Sequence, residues 1–174
     1  MLAAERHLVL IAAAAACTLL SACVSPPFVT EGVNKEVTPV DLLETADGEQ
    51  SADKVLWGGV VISSANTDST TEIEVLSYPL DYLQRPNPGL RSTGRFLMVL
   101  DGYIETADFA NGHRVTALGS PGETRTGKIG ESEYRYPVLK LAAPTDLHRW
   151  SDEEYYNSSP YSPIGIGIGI SISN

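Results

Sequence analysis

Between residues 41 and 150 the sequence predicts a small all-β domain, a strongly coiled antiparallel barrel of about five to six strands with short helical additions. Three observations carry that expectation. Short runs of β-branched and aromatic residues recur between glycine, proline and Asn/Asp turns. In one run Thr71, Ile73 and Val75 alternate with Glu72 and Glu74, the period of a half-buried strand. No long amphipathic helical pattern interrupts the series.

Asp41 to Asp47 follows Pro39 and has Leu42 and Leu43 available to pack, so it reads as one or two helical turns. Lys54 to Ile62 is the first strand; Gly58 and Gly59 inside it imply a bulge or tight curvature. Ser63 to Ser69 is polar and reads as a turn, and Thr70 to Tyr78 returns as the second arm of a hairpin. Pro79 to Gly94 contains three prolines and is a long connection, with a brief helix expected around Leu80 to Leu83. Arg95 to Leu100 forms a third strand that bends at Asp101-Gly102. Asn111-Gly112 turns the chain into His113 to Gly119, which Ser120-Pro121-Gly122 should end. Glu123 to Glu131 is polar, and Glu133 to Leu141 is the fifth strand, with Tyr134, Tyr136, Val138 and Leu139 as packing candidates. The glycines at 58, 59, 94, 102 and 119 suit a strongly coiled sheet of the OB-like kind.

The first 22 residues read as an export signal. Leu8 to Leu20 is apolar apart from Thr18, and about 13 residues of helix span only roughly 20 Å of a bilayer core of roughly 30 Å. A short start carrying Arg6 and small residues at the end complete the pattern. The end, Leu20-Ser21-Ala22-Cys23, resembles the lipobox of bacterial lipoproteins. That resemblance implies a diacylglycerol on the Cys23 thiol, cleavage before it and acylation of the new amino terminus, which makes Cys23 a tether to outer-membrane lipid. Val24, where an acidic residue would favour retention in the inner membrane, points to the outer membrane by the same analogy. Cys17 lies in the discarded segment, so the mature chain keeps Cys23 alone and forms no internal disulfide. Residues 23 to 40, rich in Ser, Pro and Thr, read as a lipidated flexible linker.

Residues 151 to 174 form a C-terminal tail. In its last stretch Ile164, Ile166, Ile168, Ile170 and Ile172 share one face if extended, with Gly and Ser on the other. Such a strand either lies on the sheet or pairs with a second chain.

The lipobox, Trp57-Gly58-Gly59-Val60-Val61, the strand Thr71 to Ser77 running into Tyr78-Pro79-Leu80, Gly94-Arg95-Phe96 leading to Asp101-Gly102-Tyr103, and His113 to Gly119, in that order and spacing, resemble the Slp family of outer-membrane lipoproteins. The resemblance covers roughly residues 23 to 150. It implies a lipid-anchored envelope protein associated with starvation, stationary phase and acid or envelope stress. It brings no catalytic residue with it. The Ile/Gly ending departs from the aromatic-rich, glycine-rich endings of the relatives.

The residues offer little catalytic chemistry. His7 belongs to the signal, leaving His113 and His148; His113 with Asp101 or Asp108 and Ser120 is the nearest approach to a hydrolytic set. No G-x-S-x-G, H-E-x-x-H, zinc spacing or EF-hand loop is present, so no catalytic, cofactor or metal site is expected. Gly94-Arg95 and Gly127-Lys128 open no helix and are not phosphate loops. Asp152-Glu153-Glu154 reads as a wet charge run. Twelve basic against 22 acidic residues give a net charge of −10, which repels nucleic acid and opposes base stacking on Tyr134 and Tyr136 beside Arg135. Two function classes remain. One is a non-enzymatic domain that binds an envelope protein, a peptidoglycan fragment or a small envelope ligand; the other is a structural subunit that self-associates through the final isoleucines.

Overall fold

The computed structural model describes residues 25–44 and 53–157. The signal segment, Cys23 and the Ile164 to Ile172 tail therefore lie outside the described residues. The elements in chain order are helix α1 (Pro39–Glu44), strands β1 (Val55–Asn66), β2 (Thr70–Ser77), β3 (Arg95–Asp101), β4 (Arg114–Ile129), β5 (Ser132–Leu141) and β6 (Leu147–Trp150), and helix α2 (Asp152–Asn157). Short 3-10 turns stand at Thr106–Phe109 and Pro144–Asp146.

The strands form one six-stranded sheet in the order β1-β2-β3-β5-β4-β6, with an additional β1–β4 pairing. The sheet is mixed, because β3 and β5 run parallel from Leu97↔Val138 to Leu100↔Leu141. The expected all-β, antiparallel, OB-like barrel is corrected on this point to a mixed α/β arrangement, with α1 and α2 flanking the sheet and β6 at the end of its order. A period-two pattern states which face of a strand is buried and nothing about its neighbour's direction. Here the connection after β3 carries the chain past β1, so that β4 lands beside β1 and the following hairpin returns β5 alongside β3.

Other expectations change in detail. Ser120-Pro121-Gly122 does not end a strand: β4 runs on to Ile129 and pairs with β5, with a register shift between Gly122 and Arg125. The ladder with β1 stops at Gly119, and the open edge and bulge beyond it accommodate a proline. No helix forms over Leu80 to Leu83; Leu80 and Pro86 instead bridge across a turn.

The core joins Val55, Trp57 and Val61 of β1 to Ile73 and Val75 of β2, Phe96, Met98 and Leu100 of β3, Val115 and Ala117 of β4, and Leu139 and Leu141 of β5. Trp57 and Phe96 meet edge to face at 5.1 Å. Leu42 of α1 packs on this core from outside. Both helices begin with reciprocal caps. Thr38 N–H donates to Asp41 Oδ2 at 2.8 Å, and Ser151 N–H donates to Glu154 Oε2 at 3.0 Å while Glu154 N–H donates to Ser151 Oγ at 3.2 Å. The acidic run at residues 152 to 154 thus opens a helix.

β1 serves two neighbours. Val55 to Val60 pair with β4, and Gly59 to Asn66 pair with β2. At the handover a side chain on Gly59 would place its Cβ 2.0 Å from the Leu76 carbonyl oxygen, so only glycine fits.

Candidate functional site

A cleft of about 540 Å³ opens beside the first half of β1. Its floor is Leu56, Trp57 and Gly58; one wall is the incoming chain from Pro26 to Pro39, and the other is Ser77 to Tyr82 with Gln84 and Thr93. The floor is shallow at Gly58, where a Cβ would meet Leu80 Cδ2 at 2.8 Å, so Leu80 lies directly over the glycine.

The incoming chain is held against the sheet rather than passing over it. Trp57 Nε1 donates to the Val37 carbonyl at 2.7 Å, and Asn34 bridges Val55 in parallel. Further out, Phe28 N–H donates to Gln84 Oε1 at 3.0 Å while Gln84 Nε2 donates to the Phe28 carbonyl at 2.8 Å. Gln84 is buried and adopts φ 67, the left-handed region that side chains avoid unless their surroundings hold them there.

The opposite wall is fixed from below. Asp81 folds back on its own turn, its Oδ1 accepting the Leu83 and Arg85 N–H groups at 2.9 Å. Its Oδ2 takes Arg85 Nε at 2.7 Å. Arg85 is buried, and its guanidinium also donates to the Tyr155 carbonyl at 3.1 Å, while Tyr155 Oη donates to the Pro86 carbonyl at 2.7 Å. The Arg114 guanidinium lies over the Tyr155 ring at 4.0 Å. Thr116 Oγ1 donates to the Gln84 carbonyl at 2.6 Å and accepts from Trp150 Nε1 at 2.9 Å. Helix α2 and strand β6 thus brace the turn that carries Gln84.

Two of the cleft's polar wall groups, Ser77 and Thr93, are turned to each other. Ser77 Oγ donates to the Gly58 carbonyl and accepts from Thr93 Oγ1 at 2.9 Å. The lining mixes hydrocarbon and ring edge with polar side chains, among them Thr30, Tyr78, Tyr82 and the exposed Lys35.

A second, smaller cleft of about 300 Å³ lies between β2 and the β4–β5 hairpin. Glu72 and Glu74, which alternate with the buried Thr71, Ile73 and Val75, are covered there: Arg125 pairs with Glu72, and Arg95 Nη1 meets Glu74 Oε1 at 2.6 Å. Tyr136 Oη donates to Glu74 at 3.2 Å, and burial, then the Glu74 charge, push its pKa up. Tyr134 packs edge-on against Tyr136 at 4.8 Å and accepts the Arg95 N–H. Both rings serve packing.

His113 does not meet a carboxylate. Its Nδ1 donates to the Asp108 backbone carbonyl at 2.8 Å, and Ser120 sits in the β4–β5 ladder opposite Lys140. His148 on β6 packs edge-on against Trp150 at 4.4 Å; its Nε2 is buried without a hydrogen-bond partner, and burial lowers its pKa. Among the described residues no group of His, Cys, Asp and Glu is placed to hold a metal, and no helix is long and apolar enough to cross a membrane. Sequence reasoning missed the cleft because Trp57 and Leu80 look like ordinary core residues. Gln84, the residue that fixes its mouth, sits in a turn-rich connection whose length alone marked it out.

Comparison with known proteins fits this picture. The profile of the outer membrane lipoprotein Slp family matches residues 20–168. An uncharacterized lipoprotein, YeaY, of Escherichia coli strain K12 is 30% identical over 134 residues, 76% of this chain and 67% of that protein. An uncharacterized protein of Haemophilus influenzae is 29% identical over 130 residues, 72% of this chain and 69% of that one. The outer membrane protein Slp of Escherichia coli is 28% identical over 153 residues, 87% and 79% of the two chains. The chain belongs to the Slp family: it is a lipid-anchored lipoprotein of the outer membrane.

Proposed function

We propose that the chain is anchored through acylated Cys23 and that its domain binds an envelope ligand with an apolar body in the cleft over Trp57. The tether half is supported by Leu20-Ser21-Ala22-Cys23 together with the family membership. The binding half is carried by one observation, the cleft itself. Its volume of about 540 Å³ falls within the roughly 300 to 1,000 Å³ of small-molecule sites, and its lining sets Phe28, Leu56, Trp57 and Leu80 among polar side chains. A ligand that enters removes its own methylenes from water, at about 0.8 kcal/mol for each.

Both halves are testable. Cys23→Ser should abolish acylation by intact mass and release the protein from the outer membrane; unchanged attachment sinks the tether. The domain produced from Val24 onward, without the signal segment, should enhance the fluorescence of N-phenylnaphthylamine, and Leu80→Glu in it should remove that enhancement while keeping a cooperative melt. Equal enhancement by both proteins places the probe elsewhere and removes the cleft as the site.

Self-association through Ile164, Ile166, Ile168, Ile170 and Ile172 is the companion proposal for the tail, resting on its alternation alone. Sedimentation of the full chain against one ending at Pro163 tests it. Equal masses at all concentrations reject it.

A further inference from the structure

We propose that the occupant of the cleft over Trp57 is one acyl chain of the protein's own anchor. This rests on the reading just given, that Cys23 is acylated and that the cleft takes an apolar ligand, and it names the source of that ligand.

The first support is where the chain enters. Pro26 and Phe28 line the cleft, and Cys23 precedes Pro26 by three residues, an extended reach of about 11 Å. The reciprocal bonds between Phe28 and Gln84 fix the chain against the sheet five residues after Cys23. Whatever hydrocarbon Cys23 carries is therefore delivered to the mouth of the cleft at high effective concentration.

The second support is the rim. Among the described residues five large hydrophobic side chains are exposed; Tyr82 (72%) lines the cleft, and Val29 (84%) and Val40 (41%) follow the lining residues Phe28 and Pro39 in the chain. On a protein of net charge −10, exposed apolar side chains next to the residues that line the cleft favour an apolar occupant.

The third support is the chemistry of the lining. Ser77, Thr93, Gln84 and Asp81 already use their polar atoms on the surrounding backbone and on one another. Along the wall these four form, an occupant that needs hydrogen bonds finds few offered; a saturated chain needs none.

The anchor can spare a chain. It comprises a diacylglycerol and an amide-linked acyl group, and withdrawing one acyl chain leaves a doubly acylated anchor, which still holds a protein on a bilayer. The seated chain then fixes the cleft face toward the membrane.

The test uses the full chain made in a lipoprotein-processing host fed a diazirine-bearing fatty acid, irradiated in its membranes and then purified. Intact mass first establishes whether acylated protein begins at Cys23. Peptide mapping should then show the acylated Cys23 peptide joined to the segment holding Leu80 or to that holding Trp57, with no added lipid mass. Leu80→Glu should lose this adduct; Tyr82→Glu, at an exposed position, should reduce it should the first variant fail to fold. Acylated protein whose cleft peptides carry a phospholipid, or carry no adduct, overturns the proposal and leaves the anchor standing. An adduct that appears only after removal of Ile164 to Asn174 assigns the cleft to the tail and also overturns it. Protein without acyl mass overturns the anchor reading itself.

Discussion

The carboxamide of Gln84 and the backbone of Phe28 hold each other in both directions, at 3.0 and 2.8 Å, across 56 residues of chain. A side chain thus supplies the pair of bonds that a neighbouring strand would give, and it does so from a residue at φ 67. A left-handed backbone costs a non-glycine residue about 1 kcal/mol, so the bonds must offset strain as well as entropy. Gln84→Ala keeps the strain and removes the bonds. It should cost about 2 kcal/mol in urea melts and expose residues 25 to 37 to limited proteolysis. Gln84→Gly should recover part of the stability without restoring protease resistance. Unchanged proteolysis in both would show that Phe28 is held by other means.

Gly59→Ala should be among the most damaging small changes. Its Cβ would lie 2.0 Å from the Leu76 carbonyl oxygen, a backbone atom of a paired strand that cannot yield. A loss of about 3 kcal/mol or more is expected. Gly89→Ala, where only the Asn87 side chain stands near at 3.1 Å, is the control and should be nearly neutral. Similar melting midpoints for the two variants would contradict the close approach of β1 and β2.

Arg85→Met tests the brace beneath the cleft. Removing the guanidinium leaves Asp81 half-buried with one partner fewer and frees the Tyr155 carbonyl, so a loss of about 3 kcal/mol is expected. The double variant Asp81→Asn, Arg85→Met should lose less than the sum of the singles, because each disrupts the same contact. Strict additivity would argue against the pair.

Acid should destabilise the domain through His148. Burial lowers its folded pKa, opposed by the Glu154 charge and aided by that of Arg149. The unfolded chain therefore binds the proton first. His148's contribution is fully present above the unfolded value of about 6.5 and is lost as the pH falls from there through the lowered folded value. Glu154, held below its ordinary range by the Ser151 N–H and hydroxyl, acts with the same sign at lower pH: its contribution is present above the ordinary carboxylate value and lost as the pH falls through the folded one. Urea midpoints should drop between about pH 7 and about pH 5, and His148→Phe should flatten that step. A step of unchanged size in the variant would assign it to another group.

The sequence made the first five strands legible, missed the four-residue β6, and left the partners hidden. Thr71, Ile73 and Val75 are buried as their alternation requires. The glutamates between them are covered by Arg125, Arg95 and Tyr136, residues 21 to 62 positions away, and no local pattern encodes that cover. The parallel β3–β5 pair escaped for the same reason: side-chain period is independent of strand polarity. Pro121 looked like a terminator because its neighbours in the sheet, which tolerate it, are set by topology. At the site, Trp57, Gly58 and Leu80 were visible as β and turn residues, whereas their arrangement around a cleft depends on a chain segment that composition alone marks as a linker.

The double pairing of β1 also bears on when this domain can form. Val55 must wait for Gly119, the residue opposite it, and Leu97 for Val138, so neither ladder is complete until most of the domain has been released. Chains dominated by such distant pairings fold in roughly milliseconds to seconds rather than microseconds. For an exported protein that delay is an asset: a partly emerged chain has no stable sheet to jam its passage, and the native fold becomes available only once the whole domain is across.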